Sequence, residues 1–183
     1  MGGSIVVLSG PSGVGKDTLI QHITEVSEYR KFVAYTTRLP RPSEKHGVDY
    51  FFLNEQEFAE LMAQEEFLDH LIVNGYHYGT PLKDFINILE RGKRVILHLA
   101  AGTALLLKSR VPQVTTVFIA PPSRCSLIER LRKRGMSEEQ IEERMKIDPT
   151  RIEQAGGFDF TIVNHDNDES ETAKLIVQFL RSI

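Results

Sequence analysis

Residues 10–18, which read GPSGVGKDT, constrain the fold of this chain more than any other stretch. They follow the apolar run at 5–8 and precede apolar residues that recur at helical spacing, so a strand, a glycine loop and a helix are expected in that order. The glycines allow successive N–H groups to point at an anion, and the helix N-terminus adds partial positive charge. The stretch therefore predicts a phosphate-binding loop.

Two residues at the end of this loop refine the prediction. Lys16 completes the pattern G-x-x-x-x-G-K and is expected to place a point charge on the terminal phosphates of a bound nucleotide. Asp17 stands where the motif has a serine or threonine whose hydroxyl binds Mg²⁺. The predicted nucleotide-binding residues of the loop are Gly10, Ser12, Gly13, Val14, Gly15, Lys16, Asp17 and Thr18.

Composition narrows the class of protein. The 183 residues suit one domain of ordinary size, and 41% hydrophobic with 26% charged residues is typical of a globular chain. A net charge of −3 gives no basic footprint for nucleic acid or an anionic membrane. No apolar run approaches the roughly 20 residues that span a bilayer, so we expect a cytoplasmic protein. The single cysteine excludes an internal disulfide and a cysteine-based zinc cluster.

Strand and helix signals alternate along the chain. Continuous apolar strands are predicted at 4–9, 94–99, 114–120 and 158–163, with a further strand at 31–37. Helices are predicted between them, including one from Glu138 to Lys146. This alternation predicts an α/β fold in three layers around a parallel sheet.

Six short motifs beyond the loop occur in order along nearly the whole chain. They are YTTRLPR at 35–41, GVDY at 47–50, FLD at 67–69, YGT at 78–80, PP at 121–122 and RLRKRG at 130–135. Together with the loop they resemble the guanylate kinase family. The resemblance implies a P-loop core at 1–33, 89–122 and 148–183, an inserted acceptor-binding lobe at 34–88 and a mobile lid at 123–147. It also implies transfer of the ATP γ-phosphoryl group to GMP or dGMP, with Mg²⁺.

Four side chains in the predicted lobe suit an acceptor phosphate. Arg38 and Arg41 offer two guanidinium forks on a proline-framed loop, and Tyr50 and Tyr78 offer two phenolic hydroxyls. The alternatives are solvated loop charge for the arginines and core packing for the tyrosines. The matching family positions hold the acceptor phosphate, and by the same resemblance Asp69 and Thr80 would contact the base.

Further arginines are assigned by the resemblance to the donor side. Arg130, Arg134 and Arg144 would reach the donor phosphates when the lid closes, where they would stabilise charge mainly in the transition state. With Lys16 and Arg38 they form the predicted catalytic set. Asn164 matches a position near the donor adenine, and a plain turn residue is the alternative.

Four positions depart from the family pattern. His98 stands where the family has an aspartate that supports Mg²⁺, and Asp17 is our candidate for the displaced acid. Ala34, Ala100 and the shorter Asp69 replace residues that contact guanine. The set of residues expected to recognise guanine is therefore less complete than the set expected to bind the acceptor phosphate.

Three functions from different classes remain at this stage. The first is a kinase of GMP or dGMP in purine nucleotide metabolism, and the second is a kinase of the same fold that acts on a phosphorylated sugar such as ribose 1,5-bisphosphate. The third is a binding module without turnover. The binding module would take a phosphorylated ligand or peptide. The expected partners are small-molecule nucleotides, with no nucleic acid and no membrane, and the protein is expected to be a monomer or a homodimer.

Overall fold

A computed structural model describes residues 4–42, 44–73 and 75–183, apart from the side chains of residues 73, 89 and 147–154. The first three residues of the predicted core therefore lie outside the described part. The chain divides into a larger unit, Ser4–Lys31 with Arg94–Ile183, and a smaller unit that contains Phe32–Lys93.

Nine strands and seven α-helices occur in the described residues. The strands are β1 (Ser4–Ser9), β2 (Arg30–Lys31), β3 (Tyr35–Thr36), β4 (Phe51–Phe52), β5 (Phe67–Val73), β6 (Tyr76–Pro81), β7 (Arg94–His98), β8 (Val114–Ala120) and β9 (Phe160–Val163). The helices are α1 (Lys16–Val26), α2 (Glu55–Ala63), α3 (Leu82–Glu90), α4 (Ala101–Arg110), α5 (Arg124–Lys133), α6 (Glu138–Glu153) and α7 (Glu169–Ser182).

The larger unit is built on a five-stranded sheet in the order β2-β7-β1-β8-β9, with every pairing parallel. Its centre is β1, whose apolar residues are fully buried because strands flank it on both sides and helices cover it. The predicted α/β fold with a parallel core sheet is thus confirmed. Since ligands of such sheets bind at the carboxyl ends of the strands, the loop after β1 lies where a nucleotide is expected.

The main hydrophobic core joins one face of this sheet to four helices. Val6 and Leu8 of β1 pack there with buried residues of α1, α5, α6 and α7. Ile5 and Val7, one residue out of phase, are buried toward the opposite face, and α4 packs against β1 and β8. Helices therefore cover both faces of the sheet.

The smaller unit holds a four-stranded mixed sheet in the order β4-β3-β6-β5, together with α2 and α3. Helix α2 begins with a capping box in which Asn54 accepts from the Glu57 N–H and the Glu57 carboxylate accepts from the Asn54 N–H, both at 2.8 Å. Phe58 of this helix stacks on Phe67 of β5, with 4.6 Å between ring centroids. The predicted lobe at 34–88 falls within this unit.

Two boundaries differ from the sequence-based expectation. The single strand predicted at 31–37 is wrong, because β2 pairs with β7 of the larger unit whereas β3 pairs with β4 and β6 of the smaller unit. The chain leaves one sheet and enters the other between them, which an unbroken apolar pattern does not reveal. Helix α6 also continues past Lys146 to Glu153.

Candidate active site

The loop that follows β1 is shaped by glycines that other residues could not replace. Gly10 has φ +140°, and a Cβ atom there would lie 2.2 Å from the backbone oxygen of Ile119. Gly15 has φ +98°, and its Cβ would lie 2.7 Å from Nδ2 of Asn164. Gly15 is also the N-cap of α1, with no side-chain hydrogen bond at that cap. The first N–H groups of α1 are therefore not capped by the Gly15 position and are suited to an anion.

Lys16 bends back over this loop. Its Nζ donates to the backbone oxygens of Gly10 and Pro11 at 2.8 and 2.9 Å. Val14 within the loop is fully buried in the main core, which anchors the loop from beneath. The ammonium group is thus held close to the backbone of the loop, where phosphate oxygens can replace the two carbonyl partners.

Asp17 in the first turn of α1 lies beside the end of β7. Its Oδ1 is 3.4 Å from Nδ1 of His98, and its side chain is 68% exposed, so the carboxylate is open to a ligand. Burial opposes ionisation, yet the charges of His98, Lys31 and Lys16 hold the pKa of Asp17 below its usual value. Burial lowers the pKa of His98, and the positive charges of Lys16 and Lys31 act in the same direction, while the Asp17 carboxylate acts to raise it.

Arg130 is fully engaged in a network that supports the loop. Its Nε donates to Asp166 at 2.7 Å, its Nη1 to the Val14 oxygen at 3.1 Å and its Nη2 to the Asn164 oxygen at 2.7 Å. Asp166 also accepts from the Ser126 hydroxyl at 2.9 Å, and the bonds from Arg130 and Ser126 lower its pKa. This geometry makes Arg130 a clamp between α5, the loop and the end of β9.

Asn164 lies beneath the loop and has no exposed surface. Its Nδ2 donates to the Val14 oxygen at 2.8 Å, while its buried Oδ1 has no partner among the described residues. Asn164 thus supports the backbone of the loop through its bond to Val14.

The other two predicted lid arginines differ from Arg130. Arg144 of α6 donates from Nη1 to the hydroxyl of Ser12 in the loop. Arg134, the C-cap of α5, has an exposed side chain and contributes to the low pKa of Asp17. Apolar residues of the segment 123–147, including Leu131 and Met145, are buried in the main core, so its two helices are anchored there.

In the smaller unit, Arg38 forms the centre of a charged cluster. Its Nη2 donates to both carboxylate oxygens of Glu44, at 2.8 and 2.9 Å, and its Nη1 donates to the Leu39 oxygen at 2.7 Å. The side chains of Arg38 and Glu44 are only 14% and 13% exposed, so this is a largely buried ion pair. The backbone N–H of Arg41 also donates to Glu44, at 2.8 Å.

Both predicted tyrosines adjoin this cluster. Burial acts to lower the pKa of Arg38, but Glu44 and Tyr78 raise it, and the Arg38 guanidinium lies 5.8 Å from the ring centroid of Tyr50. The two tyrosine rings contact each other edge to face, with 5.9 Å between centroids. The structure thus brings Arg38, Tyr50 and Tyr78 together, whereas the Arg41 side chain is 71% exposed and extends toward solvent.

Asp69 and Thr80 face each other across β5 and β6. Burial raises the pKa of Asp69, although hydrogen bonds from the side chain and backbone of Thr80 act against this. Its Oδ1 is buried and has no partner in the described part of the chain. Thr80 and Tyr78 are two residues apart on β6, so their side chains project from the same face of the strand.

Sequence reasoning missed two acids of these clusters. Glu44 follows Arg41 by three residues and Arg38 by six, in the order R-x-x-R-x-x-E. Asp166 follows Asn164 by two. The closeness of each acid to a predicted site residue in the sequence was a signal of an interaction between the two. Charge pairing between loop residues, however, depends on the path of the backbone, which the sequence does not specify.

Two negative findings apply to the described residues. No three His, Cys, Asp or Glu side chains lie close enough together to hold a metal ion by themselves. No helix there is both long and apolar enough to cross a membrane.

Comparison with known proteins gives a consistent result. The sequence profile of a family described as guanylate kinase matches residues 2–181. A guanylate kinase of Thermosynechococcus vestitus is 40% identical over 92% of this chain and 89% of its own length. A guanylate kinase of Trichormus variabilis is 40% identical over 90% of this chain and 83% of its own length.

Solved structures agree. The crystal structure of guanylate kinase from Anaplasma phagocytophilum superposes with a TM-score of 0.73 at 32% identity, covering 99% of this chain and 86% of that one. The family predicted from the motifs is thereby confirmed.

Proposed function

Since this chain belongs to the guanylate kinase family, we propose that it transfers the γ-phosphoryl group of ATP to GMP or dGMP, forming ADP and the nucleoside diphosphate. ATP is the phosphoryl donor of this family. The reaction needs a binding surface for the donor triphosphate, a grip on the acceptor phosphate and neutralisation of the transferring group. The described residues offer candidates for the donor surface and for the acceptor grip.

The observation that carries this proposal is the unpartnered Oδ1 of Asp69. A buried carboxylate oxygen without a donor is costly, and the N1–H and N2–H groups of guanine are donors that would satisfy it. Thr80 supports the carboxylate from the opposite strand. Because Tyr78 projects from the same face of β6, one strand would serve both the base and the phosphate of the acceptor.

Arg38, Arg41, Tyr50 and Tyr78 would bind the acceptor phosphate. Arg38 is preorganised by Glu44 at 2.8 Å, and its buried Nε lacks a partner among the described residues, which leaves a donor available to a phosphate oxygen. Arg41 is exposed and would turn inward on binding. A guanidinium fork matches phosphate oxygens better than an ammonium group does.

The donor triphosphate would lie on the loop formed by residues 10–18. Backbone N–H groups and the N-terminus of α1 would bind its oxygens, and Lys16 would exchange its bonds to Gly10 and Pro11 for bonds to phosphate. Arg134 and Arg144 would add positive charge to the transferring group, while Arg130 and Asn164 would hold the loop in shape.

We propose that Mg²⁺ accompanies ATP. The ion prefers oxygen ligands and is usually bound by one or two carboxylates with substrate phosphates and water. Asp17 fits this role because its carboxylate is exposed, ionised and next to Lys16. The ion would neutralise phosphate charge during the transfer.

The two other functions considered from the sequence are less well supported. The family match and the relatives named guanylate kinase favour a GMP kinase over a sugar bisphosphate kinase. The bent Lys16 and the paired Arg38 also argue for turnover over simple binding. Ala34 and Ala100 have no polar side chain at two positions that the resemblance assigns to guanine. Recognition of the acceptor's base would therefore depend on Asp69 and Thr80.

A coupled ADP-release assay with ATP, Mg²⁺ and a panel of acceptors tests this proposal. GMP and dGMP are expected to support turnover, and AMP and ribose 1,5-bisphosphate are expected to give a small fraction of that rate. Selective turnover with ribose 1,5-bisphosphate would indicate the sugar kinase. No ADP release with any acceptor would indicate the binding module.

We further propose that the enzyme works in the cytoplasm, where ATP and GMP are available, as a monomer or homodimer that does not bind nucleic acid. Gel filtration with light scattering measures the oligomeric state. Cell fractionation and a DNA-binding titration test the other two points.

A further inference from the structure

Two histidines of the smaller unit are stacked against each other on the hairpin formed by β5 and β6. Nε2 of His70 lies 2.8 Å from Nδ1 of His77, and the two rings are 12° from parallel with 5.0 Å between their centroids. In the register of the hairpin His70 lies opposite Gly79 and His77 lies opposite Ile72, so the rings meet along the diagonal. The hydrogen bond of this histidine pair therefore ties β5 to β6 through side chains, in addition to the backbone ladder.

Helix α2 packs against the histidine pair. Its Phe58 is only 1% exposed, and its ring centroid lies 5.6 Å from that of His70 and 5.2 Å from that of His77. A Cβ atom at Gly79 would lie 3.0 Å from the Phe58 ring and 2.5 Å from the Phe67 ring, so the packing here is tight. A force between the two imidazole rings therefore acts on the strands that carry them.

The proposed acceptor-binding residues are sequence neighbours of the histidine pair. Asp69 precedes His70, and Tyr78 follows His77. Since successive side chains of a strand project from opposite faces, Asp69 and Tyr78 point away from the face that carries the imidazoles. The histidine pair and the acceptor-binding groups thus occupy two faces of one hairpin, and the strands themselves connect them.

His77 also joins β6 to the segment that leads into Arg38. Its backbone oxygen accepts from the Thr36 hydroxyl at 2.9 Å and from the Thr37 N–H at 3.1 Å, and its own N–H donates to the Thr37 hydroxyl oxygen at 3.0 Å. The Thr36 hydroxyl oxygen in turn accepts from the Arg38 N–H at 3.2 Å. The position of His77 therefore bears on both Tyr78 and Arg38.

The bond within the histidine pair depends on the number of protons that it carries. A bond between two imidazole nitrogens needs one N–H and one lone pair, so at least one ring must be neutral. Two protonated rings at this distance lose the bond and repel each other. Burial lowers the pKa of His70 from its ordinary value of 6.5, and the charge of His77 acts in the same direction, while Asp69 acts to raise it. The bond is therefore present at neutral pH and is lost in acid.

Two carboxylates face the histidine pair. Glu55, the first residue of α2, has its Oε2 3.5 Å from Nε2 of His77 and is 65% exposed, and Asp69 of β5 acts on His70. The segment after β3 contributes only the uncharged hydroxyl and backbone groups of Thr36 and Thr37. At 2.8 Å the two bonded nitrogens are closer together than His77 is to Glu55, so repulsion between two protonated rings outweighs that solvent-weakened attraction.

We propose that the histidine pair positions the acceptor site. While bonded, it holds the hairpin and the segment before Arg38 in the conformation that binds a nucleoside monophosphate, and when both rings carry protons it releases that hold and weakens acceptor binding. This inference rests on the proposed function and adds a regulation by pH to the same site. His70 and His77 act as positioning residues, through the strand neighbours that would touch the acceptor.

The test measures binding of GMP by calorimetry without ATP, at about pH 8 and at about pH 5.5, on either side of the ordinary histidine pKa. The phosphate of GMP has its own second pKa of about 6, so each variant is compared with the unmodified protein at the same pH. His70→Phe and His77→Phe keep an aromatic ring beside Phe58 but remove the bond and one charge.

The expected effects of these two variants reverse with pH. At the higher pH each should bind GMP about twofold to tenfold more weakly than the unmodified protein, the usual contribution of one hydrogen bond. At the lower pH each should bind GMP as tightly as the unmodified protein or more tightly, because one ring can no longer be protonated and the repulsion is gone. Substitutions that only damage packing would not produce this reversal.

Three further variants separate the bond from the packing of the rings. His70→Gln offers an N–H or an oxygen near the place of Nε2 but cannot be protonated, so it should bind normally at the higher pH and more tightly than the unmodified protein at the lower pH. The double variant of His70→Phe with His77→Phe should be no weaker than either single variant at the higher pH, because both changes remove the same bond. His22→Phe on α1 is the matched control, since Nδ1 of His22 also lies 3.4 Å from a carboxylate, that of Glu25, and it should leave GMP affinity unchanged at both pH values.

Three results would overturn the proposal. Unchanged affinity of both phenylalanine variants at the higher pH would mean that the bond does not support the site. If His70→Gln binds GMP no more tightly than the unmodified protein at the lower pH, protonation of the pair does not act on the site. If the two single losses multiply in the double variant, the rings act separately. Because His70→Gln retains the bond, its result decides even where circular dichroism shows that a phenylalanine variant is unfolded.

Failure of the proposed function gives a different pattern. If the unmodified protein binds no GMP at either pH, the proposed function fails and this inference fails with it. If it binds GMP with the expected reversal but releases no ADP, the proposed function fails while the positioning of the acceptor site stands. If it binds and phosphorylates GMP but shows no reversal, only this inference fails.

Discussion

The two units present the groups that we propose to bind phosphate in different ways. In the larger unit the groups belong mostly to the backbone: glycine N–H groups, the start of α1 and a lysine bent onto its own loop. In the smaller unit they belong to side chains, with Arg38 held by Glu44 and joined by two tyrosines. The loop rests on a five-stranded sheet, whereas the strand that leads into Arg38 has only two residues.

This difference shows where each unit is vulnerable. A backbone site depends on a few glycines and on the core beneath it, so most side-chain changes around it are tolerated. A side-chain site depends on each partner that orients its charges. Substitutions that remove a single charge should therefore have different effects in the two units. In the larger unit they should lower ADP release, and in the smaller unit they should raise KM for GMP.

The largest effect is expected for Lys16→Ala in the larger unit. Loss of the charge aimed at the transferring group should cut ADP release about 10²-fold to 10³-fold. Affinity for GMP, measured by calorimetry without ATP, should not change. Lys174→Ala, which removes an exposed lysine of α7, is the matched control. Normal turnover in Lys16→Ala would refute the loop as the donor site.

The next effect is expected for Asp69→Asn in the smaller unit. Without the anionic acceptor, KM for GMP should rise about 10-fold to 100-fold with KM for ATP unchanged, since bonds to charged groups contribute most. Asp84→Asn on α3 of the same unit is the control. Equal KM values in Asp69→Asn and the unmodified enzyme would contradict the assignment of the base site.

Asp69→Asn should also change stability with a definite sign. Burial raises the pKa of Asp69 above its ordinary value of 3.8, so the folded protein binds this proton more tightly than the unfolded chain does. Ionisation therefore costs stability as pH rises from about 3.8 through the raised pKa. The variant should melt at a higher temperature than the unmodified protein at pH 7, and this gain should vanish in acid.

A smaller effect on binding is expected for Glu44→Gln. The change keeps the shape of the side chain but removes the charge that orients Arg38, so KM for GMP should rise about tenfold with kcat nearly unchanged. Glu60→Gln, an exposed acid on α2, is the control. If KM for GMP falls instead, Glu44 acts mainly by repelling the acceptor phosphate.

The smallest effect is expected for Asp159→Asn, away from either site in the larger unit. Asp159 accepts from the N–H and hydroxyl of Thr116 at 2.8 and 2.9 Å and pairs with Lys108 at 3.0 Å. Burial opposes ionisation, but these bonds hold its pKa below the ordinary value, so it contributes stability that is lost as pH falls through the lowered pKa. The substitution should cost about 1 kcal/mol at pH 7 and leave turnover unchanged.

Chemical denaturation at pH 7 and again in acid checks this last prediction, with Glu142→Gln on α6 as the control. A loss that stays the same at both values of pH would show that the missing hydrogen bonds, not the charge, account for it. The pKa values of Asp69 and Asp159 are thus shifted in opposite directions. Asp69 has an unpartnered carboxylate oxygen in a predicted site, whereas the carboxylate of Asp159 is bonded to Thr116 and Lys108.

The parts of this fold that were predictable are those with continuous local patterns. The loop at 10–18, the apolar strands β1 and β8, and the capping box at Asn54 are all specified by residues next to one another in sequence. The split of residues 31–37 between two sheets was not predictable, because it depends on partners 65 residues away in β7 and 42 to 44 residues away in β6.

The same limit applies to the candidate sites. Residue types and spacing indicated Lys16 and Arg38, and the family resemblance indicated Asp69, but neither showed how far each residue is bound by other groups. Arg130 is predicted to reach the donor phosphates when the lid closes, and in the structure it makes three bonds, to Asp166, Val14 and Asn164, that the sequence did not indicate. Such bonds join residues up to 116 positions apart, which no local pattern encodes.

The pairing of β2 with β7 has a consequence for protein engineering. Arg30 lies opposite Val95 and Lys31 opposite Ile96, so the chain departs for residues 32–93 and returns from them on two adjacent strands of one sheet. A segment whose two ends are held side by side in this way can be exchanged as a cassette. Transplanting 32–93 between relatives would create chimeras in which acceptor preference is inherited separately from ATP binding.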